Sequence, residues 1–253
     1  MSSSVAKFLV LAKRIVYLAL HNRHGLREVL GIASAEAEKH LDVNSDVSFL
    51  PSVGIDEIAA DQAEGLTATI YAVPQVRASI TLFEAVALAV LTQKSGGRRI
   101  FEFGTYRGIS TNQLILNASA GAEIFTLDLP VENLRTEFKL DTPGEFEVVE
   151  DARKGDLIPA VLRPRVTFLS QDSAGFDPGP YEGTMDIVFV DGAHTLEYVR
   201  NDSEKGWRML RPGGIIAWHD CRFNSPGVAR FLRASTYRPK RIAGGTVAFA
   251  VKE

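Results

Sequence analysis

Two short polar segments have the residue types and the setting to do chemistry. Asp191-Gly192-Ala193-His194 follows the apolar run Met185–Val190, and His219-Asp220 follows Ile215–Trp218. Each segment pairs an imidazole with a carboxylate. A histidine of ordinary pKa, about 6.5, can accept a proton near neutral pH. A carboxylate beside it fixes the ring, so His194 or His219 could act as a general base oriented by Asp191 or Asp220. The same residues allow a second chemistry. Asp191, His219 and Asp220 could hold a divalent ion that lowers the pKa of a hydroxyl and positions it. Carboxylate oxygens suit Mg²⁺, and an imidazole would tilt the choice towards Mn²⁺ or Zn²⁺.

A second group of residues has the pattern of a nucleoside site. Glu102-Phe103-Gly104-Thr105-Tyr106-Arg107-Gly108 joins an apolar strand-like run to a helix-like one. Gly104 permits a sharp turn and close approach of a ligand, and Gly108 permits close passage at the helix start. The dinucleotide fingerprint G-x-G-x-x-G is not met, because Tyr106 stands where its second glycine belongs. Glu102 would repel a pyrophosphate and suits a positively charged ammonium or sulfonium group instead. Asp128-Leu129 ends the next apolar run, where a carboxylate can accept from both hydroxyls of a ribose. Asp172-Ser173 ends the one after that, within reach of an adenine amino group.

The elements that would position these residues follow from periodicity. Thr81–Thr92, Ser110–Ala118, Leu196–Leu210 and Gly227–Ala234 read as helices from their apolar spacing. Arg99–Phe103, Ile124–Leu127, Val166–Leu169, Met185–Val190 and Ile215–Trp218 read as strands. Arg241-Ile242 and Thr246–Val251 read as a closing pair of strands about Gly244-Gly245. Strands alternating with helices predict an α/β, Rossmann-like, doubly wound and mostly parallel sheet. Ligands of such sheets bind beyond the C-terminal ends of the strands, where Glu102, Asp128, Asp172, Asp191, His219 and Asp220 are expected. Residues 78–253 form this domain in the reading. Residues 1–77 form an N-terminal helical and irregular extension, a cap or an oligomerisation element, with Ser34 as a helix cap. An exposed loop is expected over 130–160.

Composition narrows the function classes. A formal net charge of −3 lacks the basic excess of a nucleic-acid-binding surface. Arg98-Arg99 and the basic stretch from Arg238 to Arg241 read as strand-flanking charge. The single cysteine, Cys221, excludes an internal disulfide and argues for a buried thiol in a reducing, cytoplasmic setting. Trp207 and Trp218 read as core. The first 20 residues are apolar but interrupted by Lys7, Lys13 and Arg14, too charged for a membrane span. They read as an amphipathic helix that packs on the domain, pairs two subunits in a homo-oligomer, or lies on a membrane surface.

The series E-F-G-T-Y-R-G, T-L-D-L-P, Q-D-S, F-V-D-G-A-H-T-L-E-Y-V-R-N-D and L-R-P-G-G-I-I-A-W-H-D resembles the class I methyltransferases, and within them the methyltransferase-24 group of small-molecule and sugar O-methyltransferases. The similarity spans about residues 78–251. It implies a seven-stranded sheet with the last strand antiparallel, and S-adenosylmethionine bound across the first two strand ends. Carried over by position, Glu102, Gly104 and Gly108 hold the amino-acid part, Asp128 the ribose, and Asp172 with Ser173 the adenine. Thr105, Tyr106, Leu129 and Asp191 are further cofactor-binding candidates. His194, His219 and Asp191 are the catalytic candidates, and Asp191, His219 and Asp220 the metal candidates. Related enzymes place strand-end carboxylates on Mg²⁺, whereas this chain has His219 where several have a carboxylate or amide. The acceptor implied is a small hydroxylated molecule: a sugar, polyketide or phenolic compound. Two other readings fit parts of the chain. An NAD-dependent oxidoreductase fits the strand order and Asp128 but fails at Tyr106. A non-catalytic, methyltransferase-like binding subunit would keep the nucleoside site alone.

Overall fold

In the computed structural model the chain divides into two units, residues 1–46 and 47–253. The structure describes residues 47–60, 66–71, 79–130, 136–140, 154–222 and 225–253. The expected N-terminal amphipathic helix, its Ser34 cap and its role in oligomerisation lie outside the described residues. Among the described residues no helix is long and apolar enough to cross a membrane.

The second unit is built on one sheet of eight strands. In chain order these are β1 (Ser52–Val53), β2 (Arg99–Phe103), β3 (Glu123–Asp128), β4 (Val166–Ser170), β5 (Met185–Val190), β6 (Leu210–Trp218), β7 (Lys240–Ile242) and β8 (Ala248–Val251). Their spatial order is β1-β7-β8-β6-β5-β2-β3-β4. All neighbours pair in parallel except β8, which runs antiparallel to both β6 and β7. The expected seven strands are therefore corrected to eight. The added strand is β1, whose Ser52 and Val53 pair with Arg241 and Ile242. Two residues carry no readable alternation, so only the edge left open by β7 makes them a strand. The strand expected over Ile215–Trp218 also starts earlier, because β6 begins at Leu210 and runs through Pro212-Gly213-Gly214.

Helices α1 (Ile55–Ala59), α2 (Leu82–Lys94), α3 (Ile109–Asn117), α4 (Leu196–Met209) and α5 (Pro226–Ala234) cover the sheet. Sequence dictates where α2 starts. The Thr81 side chain accepts from the Glu84 backbone N–H, and the Glu84 side chain accepts from that of Thr81, a reciprocal capping box. Every residue of β5 is buried, as expected of a central parallel strand covered on both faces. Alternation sends Phe101, Phe103, Val188, Val190, Ile216 and Trp218 into one core cluster with α4 and α5. It sends Ile100, Ile187, Phe189, Ile215 and Ala217 into the other, with α2 and α3. Trp218 is fully buried and its indole N–H donates to Ser203 Oγ on α4 at 2.8 Å. Cys221 is buried too, and burial pushes its thiol up to about 12, so it is a core residue and not a nucleophile.

Candidate active site

A cavity of about 520 Å³ opens at the C-terminal ends of β2, β3, β5 and β6. Parallel strands that end together leave a crevice there, and the loops that leave them supply its walls. The loop after β2 turns through Gly104 (φ 95°), Tyr106 (φ 42°) and Gly108 (φ 86°), all left-handed. Gly104 is required by the protein itself: a Cβ there would collide with the Asp191 carbonyl oxygen. The absence of a side chain lets the β2 and β5 loops touch. At Gly108 a Cβ would collide with the Ile158 side chain. This glycine therefore admits the 155–158 turn, which also bonds to the loop through Gly155 N–H to Tyr106 O and Leu157 N–H to Arg107 O.

At one end of the cavity, Asp128 closes β3. Its Oδ2 accepts from the Tyr106 backbone N–H at 2.6 Å, and its Oδ1 from Lys154 Nζ at 3.0 Å. Leu129, Thr105 and Tyr106 line the same end. Asp172 follows β4 and caps a short 3-10 helix by accepting from Ala174 N–H at 2.9 Å. It also accepts from the Glu137 N–H at 2.9 Å and from the Tyr198 hydroxyl at 3.0 Å. Below it, Asp202 on α4 is fully buried. Burial pushes its carboxyl up to about 7 against the opposing pull of Ser173, Asn201 and Lys205.

Glu102 and Gly108 do not line the cavity. Alternation along β2 turns Glu102 towards α3, where it is fully buried. Its Oε1 accepts from Ser110 Oγ at 2.6 Å, and its Oε2 from Thr111 Oγ1 at 2.6 Å and Thr126 Oγ1 at 2.7 Å. Burial raises its carboxyl to about 7 in spite of these three donors. The direct grip on a ligand expected of Glu102 is thus replaced by a grip on the hydroxyls beneath the cavity, of which Ser110 reaches the lining.

At the other end, three carboxylates converge on His219. Its Nδ1 lies 3.0 Å from Asp191 Oδ1 and 3.4 Å from Asp220 Oδ1. Its Nε2 lies 3.3 Å from Glu84 Oε2, an ion-pair contact. Burial alone would lower the imidazole's pKa, but Asp191, Glu84 and Asp220 together hold it well above the usual histidine range. Asp220 sits in a left-handed turn after β6 (φ 53°) that aims its carboxylate back over the strand end. His194 Nε2 lies 2.9 Å from Asp220 Oδ2, and Arg222 Nη2 lies 2.7 Å from Asp220 Oδ1. Burial would raise the Asp220 carboxyl, but His194, His219 and Arg222 outweigh it and keep it below the usual range. Glu84, Lys154, Tyr198, Arg222 and Thr246, which lie outside the motifs above, also line the cavity. Of these only Glu84 left a signal, the capping box it forms with Thr81.

The metal candidates do not fit an ion. Both ring nitrogens of His219 face carboxylates, and Asp220 is already paired with His194 and Arg222. An imidazole needs a bare lone pair to ligate, and this one faces oxygen lone pairs on two sides. Among the described residues no group of three His, Cys, Asp or Glu side chains has the geometry of a metal site.

A parallel sheet closed by an antiparallel strand, with carboxylates at successive strand ends lining one cavity, has the architecture of a Rossmann-like fold, whose ligands bind at those strand ends. Residues 101–221 match the family model Methyltransf_24, a methyltransferase domain. Over this span the chain is similar to the methyltransferases of that family. It is 28% identical over 188 residues to a Mycobacterium ulcerans protein whose name provisionally assigns O-methyltransferase activity, across 70% of this chain and 75% of that one. A Mycobacterium avium protein with the same provisional name is 29% identical over 143 residues, 56% of each chain. Among solved structures, the O-methyltransferase from Bacillus cereus in complex with SAH (S-adenosylhomocysteine) has a TM-score of 0.50 at 20% identity. The match covers 82% of this chain and 94% of that one, and it is a likeness of fold.

Proposed function

We propose that the protein transfers the methyl group of S-adenosylmethionine to a hydroxyl of a small acceptor bound in the same cavity. The observation that carries this is the division of one cavity into two ends. Asp128, Leu129, Asp172 and Ser173 line one end, and Asp191, His194, His219 and Asp220 line the other. The provisional names of the mycobacterial relatives support oxygen as the atom methylated.

In this reading Asp128 accepts from the ribose hydroxyls and its contact to Lys154 opens or is shared. Ser173 and the Asp172 turn border the adenine. Thr105, Tyr106, Ser110 and Asp191 surround the amino-acid part, where a carboxylate balances the ammonium and sulfonium charges. The methyl donor supplies a sulfonium-bound carbon, and its transfer to a hydroxyl leaves a thioether, a methyl ether and one proton. His194 takes that proton, with Asp220 at 2.9 Å orienting the ring and stabilising the imidazolium formed. His219 supplies fixed positive charge where negative charge develops on the acceptor oxygen. No step requires a metal ion.

Calorimetric titration with S-adenosylhomocysteine and, separately, with NAD tests the reading. Binding of S-adenosylhomocysteine at one site, with none for NAD, is the expected outcome. Binding of NAD alone would replace methyl transfer with hydride transfer. Binding of S-adenosylhomocysteine without turnover of any hydroxylated acceptor would leave a nucleoside-binding subunit.

A further inference from the structure

We propose that Arg222 and Ser225, on the turn between β6 and α5, form a carboxylate-binding subsite, so that the acceptor is a small hydroxy acid whose acid group lies a few bonds from the methylated hydroxyl. The inference deepens the methyl-transfer reading and rests on it for the place of the acceptor.

The turn brings the two side chains to one rim. After the left-handed Asp220, the Arg222 N–H donates to Asp220 O at 2.7 Å, and the Ser225 N–H donates to Arg222 O at 3.1 Å. Both residues line the cavity. Arg222 Nη2 lies 2.7 Å from Asp220 Oδ1, which fixes the guanidinium at the histidine end, and the side chain is still 41% exposed. That contact engages one of five N–H groups, on a group whose charge is permanent. Its Nε is shut off from solvent, so the donors left for a ligand are on Nη1 and Nη2.

Ser225 supplies a second, independent observation. It stands at the cap of α5, where a serine ordinarily accepts from a backbone N–H of the first turn. Here no such bond forms. The residue is only 3% exposed, and its hydroxyl has no partner among the described residues. A hydroxyl buried in a cavity wall without a partner is costly unless a ligand or water completes it. Neutralising Asp220 would account for Arg222 Nη2, but it gives Ser225 nothing to do.

Asp220 also sets the spacing between this subsite and the reacting hydroxyl. Its Oδ1 holds Arg222, and its Oδ2 faces His194 Nε2 at 2.9 Å. The two side chains therefore sit on the two oxygens of one carboxylate. An acceptor whose hydroxyl reaches His194 carries any group a few bonds further on to Arg222. Glu84, Asp191 and Asp220 share this end of the cavity, so an acid group can dock only against a cation fixed in place. A planar guanidinium is the cation best matched to a carboxylate.

The test is saturation-transfer NMR on the full-length protein saturated with S-adenosylhomocysteine. The probes are two acid–amide pairs, glycolate with glycolamide and glucuronate with glucuronamide; within each pair the shape is kept and the charge is lost. At least one acid should bind about tenfold or more tightly than its amide. Arg222→Met should remove that preference and leave the affinity for S-adenosylhomocysteine within about twofold of wild type. Ser225→Ala should weaken binding of the acid by about 2- to 10-fold, the loss of one hydrogen bond. Equal binding of acid and amide in both pairs, or binding of neither acid, overturns the inference. So does acid binding that S-adenosylhomocysteine abolishes, because Arg222 would then hold the carboxylate of the cofactor itself. Should Arg222→Met fail to fold, the wild-type preference and Ser225→Ala still decide. Failure to bind S-adenosylhomocysteine would instead count against methyl transfer, so the two failures are separable.

Discussion

Replacing Asp128 should weaken nucleoside binding by a predictable amount. In the free protein its two oxygens are spent on the Tyr106 backbone N–H at 2.6 Å and Lys154 Nζ at 3.0 Å. Asp128→Asn keeps one oxygen for Tyr106 and turns the other into an NH₂ donor. That donor would face Lys154 and the ribose diol, both of which also donate. Hydrogen bonds to a charged acceptor contribute about 1.5–3 kcal/mol. The dissociation constant for S-adenosylhomocysteine should therefore rise by about 10- to 150-fold. Asp128→Ala should weaken binding similarly and also lower stability by about 1 kcal/mol, because it strips the Tyr106 N–H of its acceptor. Isothermal calorimetry measures the first effect and urea unfolding the second. If both variants bind S-adenosylhomocysteine within about twofold of wild type, well inside the range set by one lost charged hydrogen bond, the ribose assignment is refuted.

Three further outcomes follow from the geometry. Gly104→Ala places a Cβ against the Asp191 carbonyl at a φ of 95°. It should cost at least about 1–3 kcal/mol in urea unfolding and abolish S-adenosylhomocysteine binding; a variant of wild-type stability would contradict the close loop contact. Asp202 has its folded pKa raised by burial from 3.8 to about 7. Its unfolded form therefore ionises first as pH rises, and the folded state loses stability between those two values. Asp202→Asn should remove that slope, so that from pH 5 to pH 8 the variant gains up to about 3 kcal/mol relative to wild type; a pH-independent difference in urea midpoints would contradict it. Because the His219 ring and Asp220 are already paired with charged side chains, turnover of an identified acceptor should survive thorough chelation. Loss of turnover restored by Mg²⁺ would reinstate the ion mechanism.

Much of this arrangement was legible in the chain before any coordinates. Apolar runs bounded by glycine marked β2, β3, β5 and β6, and the carboxylates ending them had to meet along one rim of a parallel sheet. Asp128, Asp172, Asp191, His194, His219 and Asp220 do line one cavity. What escaped was set by register and by long-range contact. Glu102 differs from its neighbours Phe101 and Phe103 only by strand parity, and parity turns it beneath the loop, away from the cavity. Gly104 reads as making room for a ligand, yet the group it admits is the Asp191 carbonyl. Glu84 and Thr246 lie 162 positions apart, and only the fold shows that the cap of α2 is also a wall of the active site. Strand β1 is too short for any periodicity to reveal.

A crystal structure with S-adenosylhomocysteine bound tests the central claim most directly. The account predicts ribose hydroxyls on Asp128, adenine beside Ser173, and the sulfur facing the space between Asp191, His194 and His219. A ligand seated elsewhere, or oriented with its adenine at the histidine end, would contradict it.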